Sequence, residues 1–182
     1  MSRKLRAWFR GAVYHITARG NRRANIFVDQ KDYLMYLYFL EEVRKLFPFI
    51  LHSYCLMTNH LHLQIETQEH HIQDIMKKLH TDYAIYFNKR HEVDGHVFQG
   101  RYGSQLILSI KYFLDVSRYI HLNPLEANMV KKPEDYRWSS YSSYLNLSKN
   151  PHIVTTKTLS YISESSFKTY KQFVEETREG EI

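Results

Sequence analysis

The amino-acid sequence predicts one α+β domain whose elements run strand, helix, strand, strand, helix, strand, with a further helix after them. Three observations support this fold class. The 182 residues are 43% hydrophobic and 15% aromatic, which suits one folded core. Segments with two-residue alternation indicate half-buried strands, and segments with apolar residues three or four apart indicate amphipathic helices. The two kinds of segment follow one another without an internal repeat.

The first strand and the first helix have clear signals. Residues 14–19 alternate between apolar and polar side chains, as a strand does when one face is buried. A helix is predicted over residues 30–47, with Asp29 as its N-cap and Pro48 as the residue that ends it.

The middle of the chain predicts two strands and a second helix. Residues 50–57 read as a buried strand, and a turn at 58–59 leads into a strand over 60–66. Alternation puts one set of side chains of that strand on the face opposite the core, namely His60, His62, Gln64 and Glu66. The second helix carries an apolar stripe formed by Ile72, Met76, Leu79, Tyr83 and Phe87.

The last predicted elements complete the fold. Residues 101–108 form a fourth strand, and a third helix covers residues 109–122. That helix should end near Asn123, because a residue before proline disfavours the helical conformation. The resulting order is the ferredoxin-like β-α-β-β-α-β arrangement, a sheet with helices on one face, plus the following helix.

Beyond residue 130 the pattern weakens. Phe167, Tyr170 and Val174 predict one amphipathic terminal helix. We therefore predict a domain over residues 1–144 and a C-terminal extension over 145–182 that is not a separate domain.

Charge favours an anionic partner. The formal net charge is +6 and the isoelectric point is about 9.3, which suits nucleic acid. The basic residues that precede the first acidic residue, Asp29, are Arg3, Lys4, Arg6, Arg10, Arg19, Arg22 and Arg23. A solvated basic end would give the same distribution.

Cysteine content and hydropathy set the expected environment. Cys55 is the only cysteine, so an internal disulfide is impossible and a reducing compartment is expected. No stretch approaches the roughly 18 apolar residues of a membrane span, and the basic N-terminus develops no secretory apolar core. We expect a cytoplasmic protein with no membrane partner.

His60 and His62 are the first candidate site residues. Two histidines two apart on a strand project from the same face, close enough to share a cation. A plain polar sheet face gives the same pattern and is the commoner explanation.

The other candidates lie on the third helix and on the loop after the first strand. Tyr119 and Asn123 are four residues apart and share a helical face. Tyr119 is equally explained by packing, and Asn123 by the N-cap of a helix opening at Pro124. The basic turn at residues 19–23 can cradle phosphate or be an exposed loop, and Gly20 would allow close backbone approach.

Five motifs occur in order: YHITARGNRR at 14–23, YCLMTNHLHL at 54–63, GRY at 100–102, RYIHLNP at 118–124 and YRWSSY at 136–141. Together they resemble the single-tyrosine HUH transposases of small bacterial insertion sequences, and especially their domesticated relatives, the REP-associated tyrosine transposases. The resemblance covers roughly residues 12–144, so it implies an HUH single-tyrosine transposase domain over 1–144.

The resemblance implies a role for each motif residue. His60 and His62 match the HUH pair, and Tyr119 matches the nucleophile. Asn123 matches a third polar metal ligand, and the implied cofactor is Mg²⁺ or Mn²⁺. Many REP-associated members have glutamate after the Tyr-Ile pair, where this chain has His121. The role of that position is therefore open.

The implied activity is metal-dependent single-strand DNA cleavage and strand transfer on hairpin-bearing DNA, through a covalent 5′-phosphotyrosine. The candidate DNA-binding residues are Arg19, Asn21, Arg22, Arg23, Arg3, Lys4, Arg6, Arg101, Arg118 and Arg137. In the families that this chain resembles, insertion-sequence members are dimers that share active sites, whereas REP-associated members look monomeric. We expect a monomer, with a homodimer as the alternative.

Three other functions remain open at this point. One is a hairpin DNA-binding protein of the same fold without catalysis. Another is an RNA-binding ferredoxin-like module, disfavoured because the candidate strand face carries histidine, glutamine and glutamate instead of aromatic residues. The third is a zinc-dependent hydrolase, which needs a further strong ligand. Arg137 and Trp138 would stack on an unpaired base unless Trp138 is a core residue.

Overall fold

The computed structural model describes residues 7–163, 165 and 168–176. The strands in this part of the chain are β1 (Val13–Arg19), β2 (Phe49–Leu56), β3 (His60–Thr67) and β4 (Gly103–Ile107). The helices are α1 (Gln30–Leu46), α2 (Ile72–His91), α3 (Ile110–Glu126), α4 (Tyr141–Tyr144), α5 (Thr156–Ser163) and α6 (Tyr170–Glu175). The strands form one antiparallel sheet in the order β2-β3-β1-β4. The predicted α+β fold with its β-α-β-β-α-β order is confirmed.

Helices α1 and α2 cover one face of the sheet. Leu40 of α1 and Leu79 of α2 are buried in one core with Ile16 of β1 and Leu63 of β3. Helix α1 begins as predicted, because the Asp29 side chain accepts hydrogen bonds from the first backbone N–H groups of the helix.

Helix α3 covers the opposite face. Its residues Phe113 and Ile120 are buried in a second core with Cys55 of β2 and with Phe173 and Val174 of α6. The sheet therefore has the predicted pair of helices on one face and the added helix on the other. His60 and His62 point to the side of α3.

Helix α3 continues through Pro124 to Glu126, so the predicted end near Asn123 and the alternative of a new helix capped by Asn123 are wrong. Proline lacks an N–H, so only the carbonyl of Ile120 loses its regular helical partner there. The backbone N–H of Ala127 still donates to the carbonyl of Asn123 at 2.9 Å, and Pro124 is buried. Packing thus compensates for a single missing hydrogen bond in the last turn.

Three further outcomes concern the ends of elements and of the chain. The fourth strand is shorter than predicted, so Arg101 lies before it. The C-terminal region has α5 in addition to the predicted terminal helix, while Phe167 lies outside the described residues. The domain boundary at residue 144 stays a prediction. Within the described ranges, no helix has the length and apolar character required to span a bilayer.

Candidate active site

Sheet register sets the position of the two histidines. In the pairing of β1 with β3, Arg19 lies opposite His60 and Thr17 lies opposite His62. The His62 side chain is 5% exposed, whereas His60 is partly buried. The ring centroids of the two histidines are 5.2 Å apart. Both imidazoles therefore occupy one end of the sheet face that α3 covers.

Helix α3 brings Tyr119 and Asn123 to the same place. The ring of Tyr119 meets that of His62 edge-on, with centroids 5.2 Å apart, and Tyr119 is 45% exposed. The Oδ1 atom of Asn123 lies 3.3 Å from Nε2 of His60. A cavity of about 420 Å³ is lined by Thr17, Ala18, Arg19, His60, Leu61, His62, Gln99, Arg101, Gly103 and Tyr119. The structure thus brings the four residues together beside an open cavity.

Asn59 fixes the tautomer of His60. The Nδ2 atom of Asn59 donates to the carbonyl of Arg23 at 3.3 Å, so its Oδ1 faces His60. That oxygen lies 2.8 Å from Nδ1 of His60 and can only accept a hydrogen bond. The proton of the neutral ring is therefore on Nδ1, and Nε2 carries a lone pair.

The lone pair of His60 Nε2 points at another acceptor. The Nδ2 atom of Asn123 donates to the carbonyl of Tyr119 at 3.4 Å, which turns Oδ1 of Asn123 towards His60. Burial lowers the pKa of His60 and favours the neutral ring, whereas a protonated ring would donate from Nε2 to Asn123. Nitrogen and oxygen thus face each other at 3.3 Å without a proton between them.

A divalent cation would satisfy both of these acceptors. Ligand atoms at right angles around an ion with bonds of about 2.1 Å lie about 3 Å apart, close to the separation seen here. His15 occupies the other nitrogen of the second imidazole, because its Nε2 lies 3.0 Å from Nδ1 of His62. The Nε2 atom of His62 is then the one left for a ligand. The residues present fit a metal ion.

The protonation of the rings agrees with this fit. Burial lowers the pKa of His62 to about 3 and that of His15 to about 4, so both rings are neutral near pH 7, as metal ligation requires. Among the described residues, no group of three or more His, Cys, Asp and Glu side chains is placed to hold a metal. Two imidazoles and one amide therefore leave positions for water or for phosphate oxygens of a substrate.

The basic turn after β1 is a preformed loop. Arg22 and Arg23 have positive φ angles of 52° and 62°, a backbone conformation that residues other than glycine rarely adopt. The backbone N–H of Asn21 donates to the carbonyl of Val97 at 2.8 Å. A Cβ added to Gly20 would lie 2.0 Å from a backbone oxygen. These contacts fix the backbone of the turn next to Asn59, and both arginine side chains are exposed.

The remaining predicted DNA-binding residues divide into three groups. Arg101 is exposed and lines the cavity with Arg19. Arg118 lies outside the cavity and donates to the carbonyl oxygens of Val174 and Glu176 at the end of α6. The predicted basic arm formed by Arg3, Lys4 and Arg6 lies outside the described residues.

Arg137 and Trp138 also lie away from the cavity. The guanidinium of Arg137 donates to Oε1 of Gln30 at 3.1 Å and lies 4.9 Å from the centre of the Trp138 ring. Trp138 also stacks on Tyr33, with centroids 4.3 Å apart and an angle of 5° between the planes. Protein groups therefore occupy both faces of the indole, which disfavours a stacked base there.

His121 has a structural role. It is fully buried, with Nδ1 2.7 Å from the hydroxyl of Tyr170 and Nε2 2.7 Å from Oγ of Ser140. It thereby joins α3 to α6 and to the segment before α4. Sequence reasoning left this position open and did not select His15 or Asn59. His15 could have been selected from the sequence, because it shares an alternating strand face with Arg19, which was a candidate.

Comparison with known proteins defines the class. Residues 9–123 match the profile of the family described as "Transposase IS200 like". This covers well over half of the chain, and the chain belongs to the IS200-like transposase family, whose members are DNA-cleaving enzymes. The resemblance inferred from the five motifs is confirmed.

The first of two similar solved structures supports the fold. The protein is similar to a REP-associated tyrosine transposase bound to a REP hairpin, with a TM-score of 0.68 and 17% identity over 85% of this chain and 98% of that one. A candidate transposase from Deinococcus radiodurans has a TM-score of 0.46 and 19% identity over 65% of this chain and 95% of that one. A search of curated proteins finds no match.

Proposed function

We propose that this transposase is a metal-dependent single-strand endonuclease and strand transferase that uses Tyr119 as its nucleophile. One observation carries the proposal. The exposed phenol of Tyr119 lies edge-on to His62, within a cavity that also contains His60 and two arginines. An anionic phosphodiester entering this cavity would meet a nucleophile, a ligand set and positive charge together.

His60, His62 and Asn123 would hold the divalent ion, Mg²⁺ or Mn²⁺. When bound, such an ion polarises the scissile phosphate and offsets the charge that develops on it. The support for this ligand set is the pair of facing acceptors on His60 and Asn123, 3.3 Å apart. Asn59 holds His60 in the tautomer that presents Nε2, and the contact of His15 with Nδ1 of His62 leaves Nε2 of His62 for a ligand.

The cleavage step has a simple balance. The phenolic oxygen of Tyr119 forms a bond to phosphorus while the bond from phosphorus to the 3′ oxygen breaks. The phenol loses one proton and the leaving oxygen gains one, which gives a 5′-phosphotyrosine and a free 3′-hydroxyl. Attack by another 3′-hydroxyl reverses the step and joins strands without an external energy source.

The proposed substrate is single-stranded DNA that carries a hairpin. Arg19 and Arg101 line the cavity, and Arg22 and Arg23 are exposed on the preformed turn that follows Arg19. Asn21 belongs to the same turn. A REP hairpin is bound to the structurally similar transposase, and a cluster of exposed arginines suits contact with its phosphates.

We propose a monomer. Tyr119 and the two histidines come from one chain and already lie with ring centroids near 5 Å, so the site needs no residue from a second copy. A homodimer that exchanged α3 would have to rebuild this arrangement between chains.

The decisive test is covalent capture of DNA. Wild-type protein and the variants Tyr119→Phe and Tyr112→Phe are incubated with a hairpin-bearing single strand and Mn²⁺, then separated on a denaturing gel. We expect a protein–DNA adduct from wild type and from Tyr112→Phe, the control on the same helix, and none from Tyr119→Phe. Hairpin affinity should be the same for all three proteins. Intact binding with no adduct from wild type would instead indicate a hairpin-binding protein without catalysis.

A further inference from the structure

A second and larger concave region adjoins the candidate active site. This groove has a volume of about 590 Å³ and lies between α2 and residues 95–102. Its helix wall is formed by Gln73, Met76, Lys77, His80, Thr81, Ala84, Ile85 and Asn88. These residues follow two rows with four-residue spacing, so the wall extends about 22 Å along the helix. The groove is long enough for a run of nucleotides.

The opposite wall separates the groove from the active-site cavity. The backbone N–H of Gln99 donates to the carbonyl of Arg19 at 2.8 Å, and that of Asn21 donates to the carbonyl of Val97. This wall is therefore fixed to the end of β1 and to the basic turn. Gln99 lines the cavity, Val97 lines the groove, and Arg101 lines both. The two concave regions therefore adjoin at Arg101, which both of them share.

The chemistry of the groove suits single-stranded nucleic acid. Lys77, His96 and Arg101 are exposed along it, and its lining contains no aspartate or glutamate. Ile85 at the rim is 63% exposed, and the buried hydrophobic residues that line the groove are Met76, Val97, Phe98 and Tyr102. Cations at the edge and an apolar floor match a strand whose phosphates face outwards and whose bases face inwards.

We propose that this groove binds the unpaired segment of the DNA strand next to the phosphodiester that is cleaved. The inference rests on the proposed function, because the strand must pass through the active-site cavity to continue into the groove at Arg101. The side chains of Gln73 and Thr81 are exposed along the helix wall and can hydrogen-bond to base edges. The groove would then contribute to the choice of cleavage site, whereas the arginine turn binds the hairpin.

The test measures binding apart from chemistry. All proteins carry Tyr119→Phe, which prevents covalent capture, and are titrated with a bare hairpin and with hairpins that have a 5′ or a 3′ single-stranded extension. The groove variants are Lys77→Glu and Ile85→Glu, both at exposed positions. Lys89→Glu is the control, since it makes the same charge change on α2 outside the groove.

We expect each groove variant to weaken binding of one extended hairpin by about tenfold and to leave the bare hairpin unchanged. Lys77→Glu should also lower the slope of log affinity against log salt by about 1. Abasic positions in that extension should weaken its binding to the control protein. They should not weaken its binding to the Ile85→Glu protein further. Equal affinity of groove and control variants for both extended strands would overturn the proposal, as would equal losses on the bare hairpin. Adduct formation by the unmutated protein is scored separately, so failure of cleavage and failure of the groove are distinguishable.

Discussion

Replacement of Asn59 by alanine would test how the proposed metal site is prepared without changing a proposed metal ligand. In the folded protein the Oδ1 atom of Asn59 holds the proton of His60 on Nδ1 and leaves the lone pair on Nε2. With alanine, the ring can rotate and adopt the other tautomer. Partners that orient a metal-bound histidine typically contribute about 10- to 100-fold to metal affinity, or roughly 1.4–2.7 kcal/mol.

The assay follows bound Mn²⁺ by electron paramagnetic resonance, with the Tyr119→Phe protein on a hairpin-bearing strand. We expect Asn59→Ala to weaken Mn²⁺ binding within that range. Asn59→Asp should bind Mn²⁺ at least as tightly as the protein that keeps Asn59, because a carboxylate also accepts a hydrogen bond from Nδ1 of His60. Thermal unfolding of both variants controls for loss of the fold. Unchanged Mn²⁺ affinity in the alanine variant, or an equal loss in the aspartate variant, would refute the reasoning.

Three further predictions follow from the same contacts. Burial lowers the pKa of His121 to about 3, so this residue alone should lower the free energy of unfolding by roughly 1.4 kcal/mol per pH unit as pH falls from about 6.5 towards 3. Urea unfolding of His121→Gln should show a smaller pH dependence, and an identical slope would argue against a neutral buried imidazole. Arg19→Gln and Arg101→Gln should each reduce the salt slope of DNA binding by about 0.7–0.9, whereas an unchanged slope would mean no phosphate contact. Gly20→Ala should lower the free energy of unfolding in urea by about 1–3 kcal/mol, because its Cβ would lie 2.0 Å from a backbone oxygen. An unchanged free energy of unfolding would contradict that crowding.

The parts of the site that depend on periodicity could be predicted from the sequence. Two-residue alternation put His60 and His62 on one strand face, and four-residue spacing put Tyr119 and Asn123 on one helix face. Spacing alone could not show that these two faces meet. That depends on α3 crossing to the side of the sheet left open by α1 and α2.

The remaining features depend on contacts between residues far apart in the chain. His15 and His62 are 47 positions apart, and only the register of β1 against β3 brings their nitrogens within 3.0 Å. The local rule for Pro124 predicted the end of a helix, yet burial of the ring outweighed one lost hydrogen bond. The position of Arg118 against α6 depends on where the predicted terminal helix packs, which the periodicity of that helix does not determine.

The contacts that hold α3 in place come partly from the C-terminal region, so the proposed chemistry depends on residues outside the active site. The family profile stops at residue 123, and every residue proposed to react or to hold the ion lies at or before that position. Yet the helix that carries the proposed nucleophile is held by residues beyond position 123, through His121 to Tyr170 and through Arg118 to the backbone at Val174. A fragment that ended at the profile boundary would possess all the reacting groups without the support that aims the phenol. Substitutions in the C-terminal helices can therefore impair cleavage even though no atom of those helices meets DNA in this scheme.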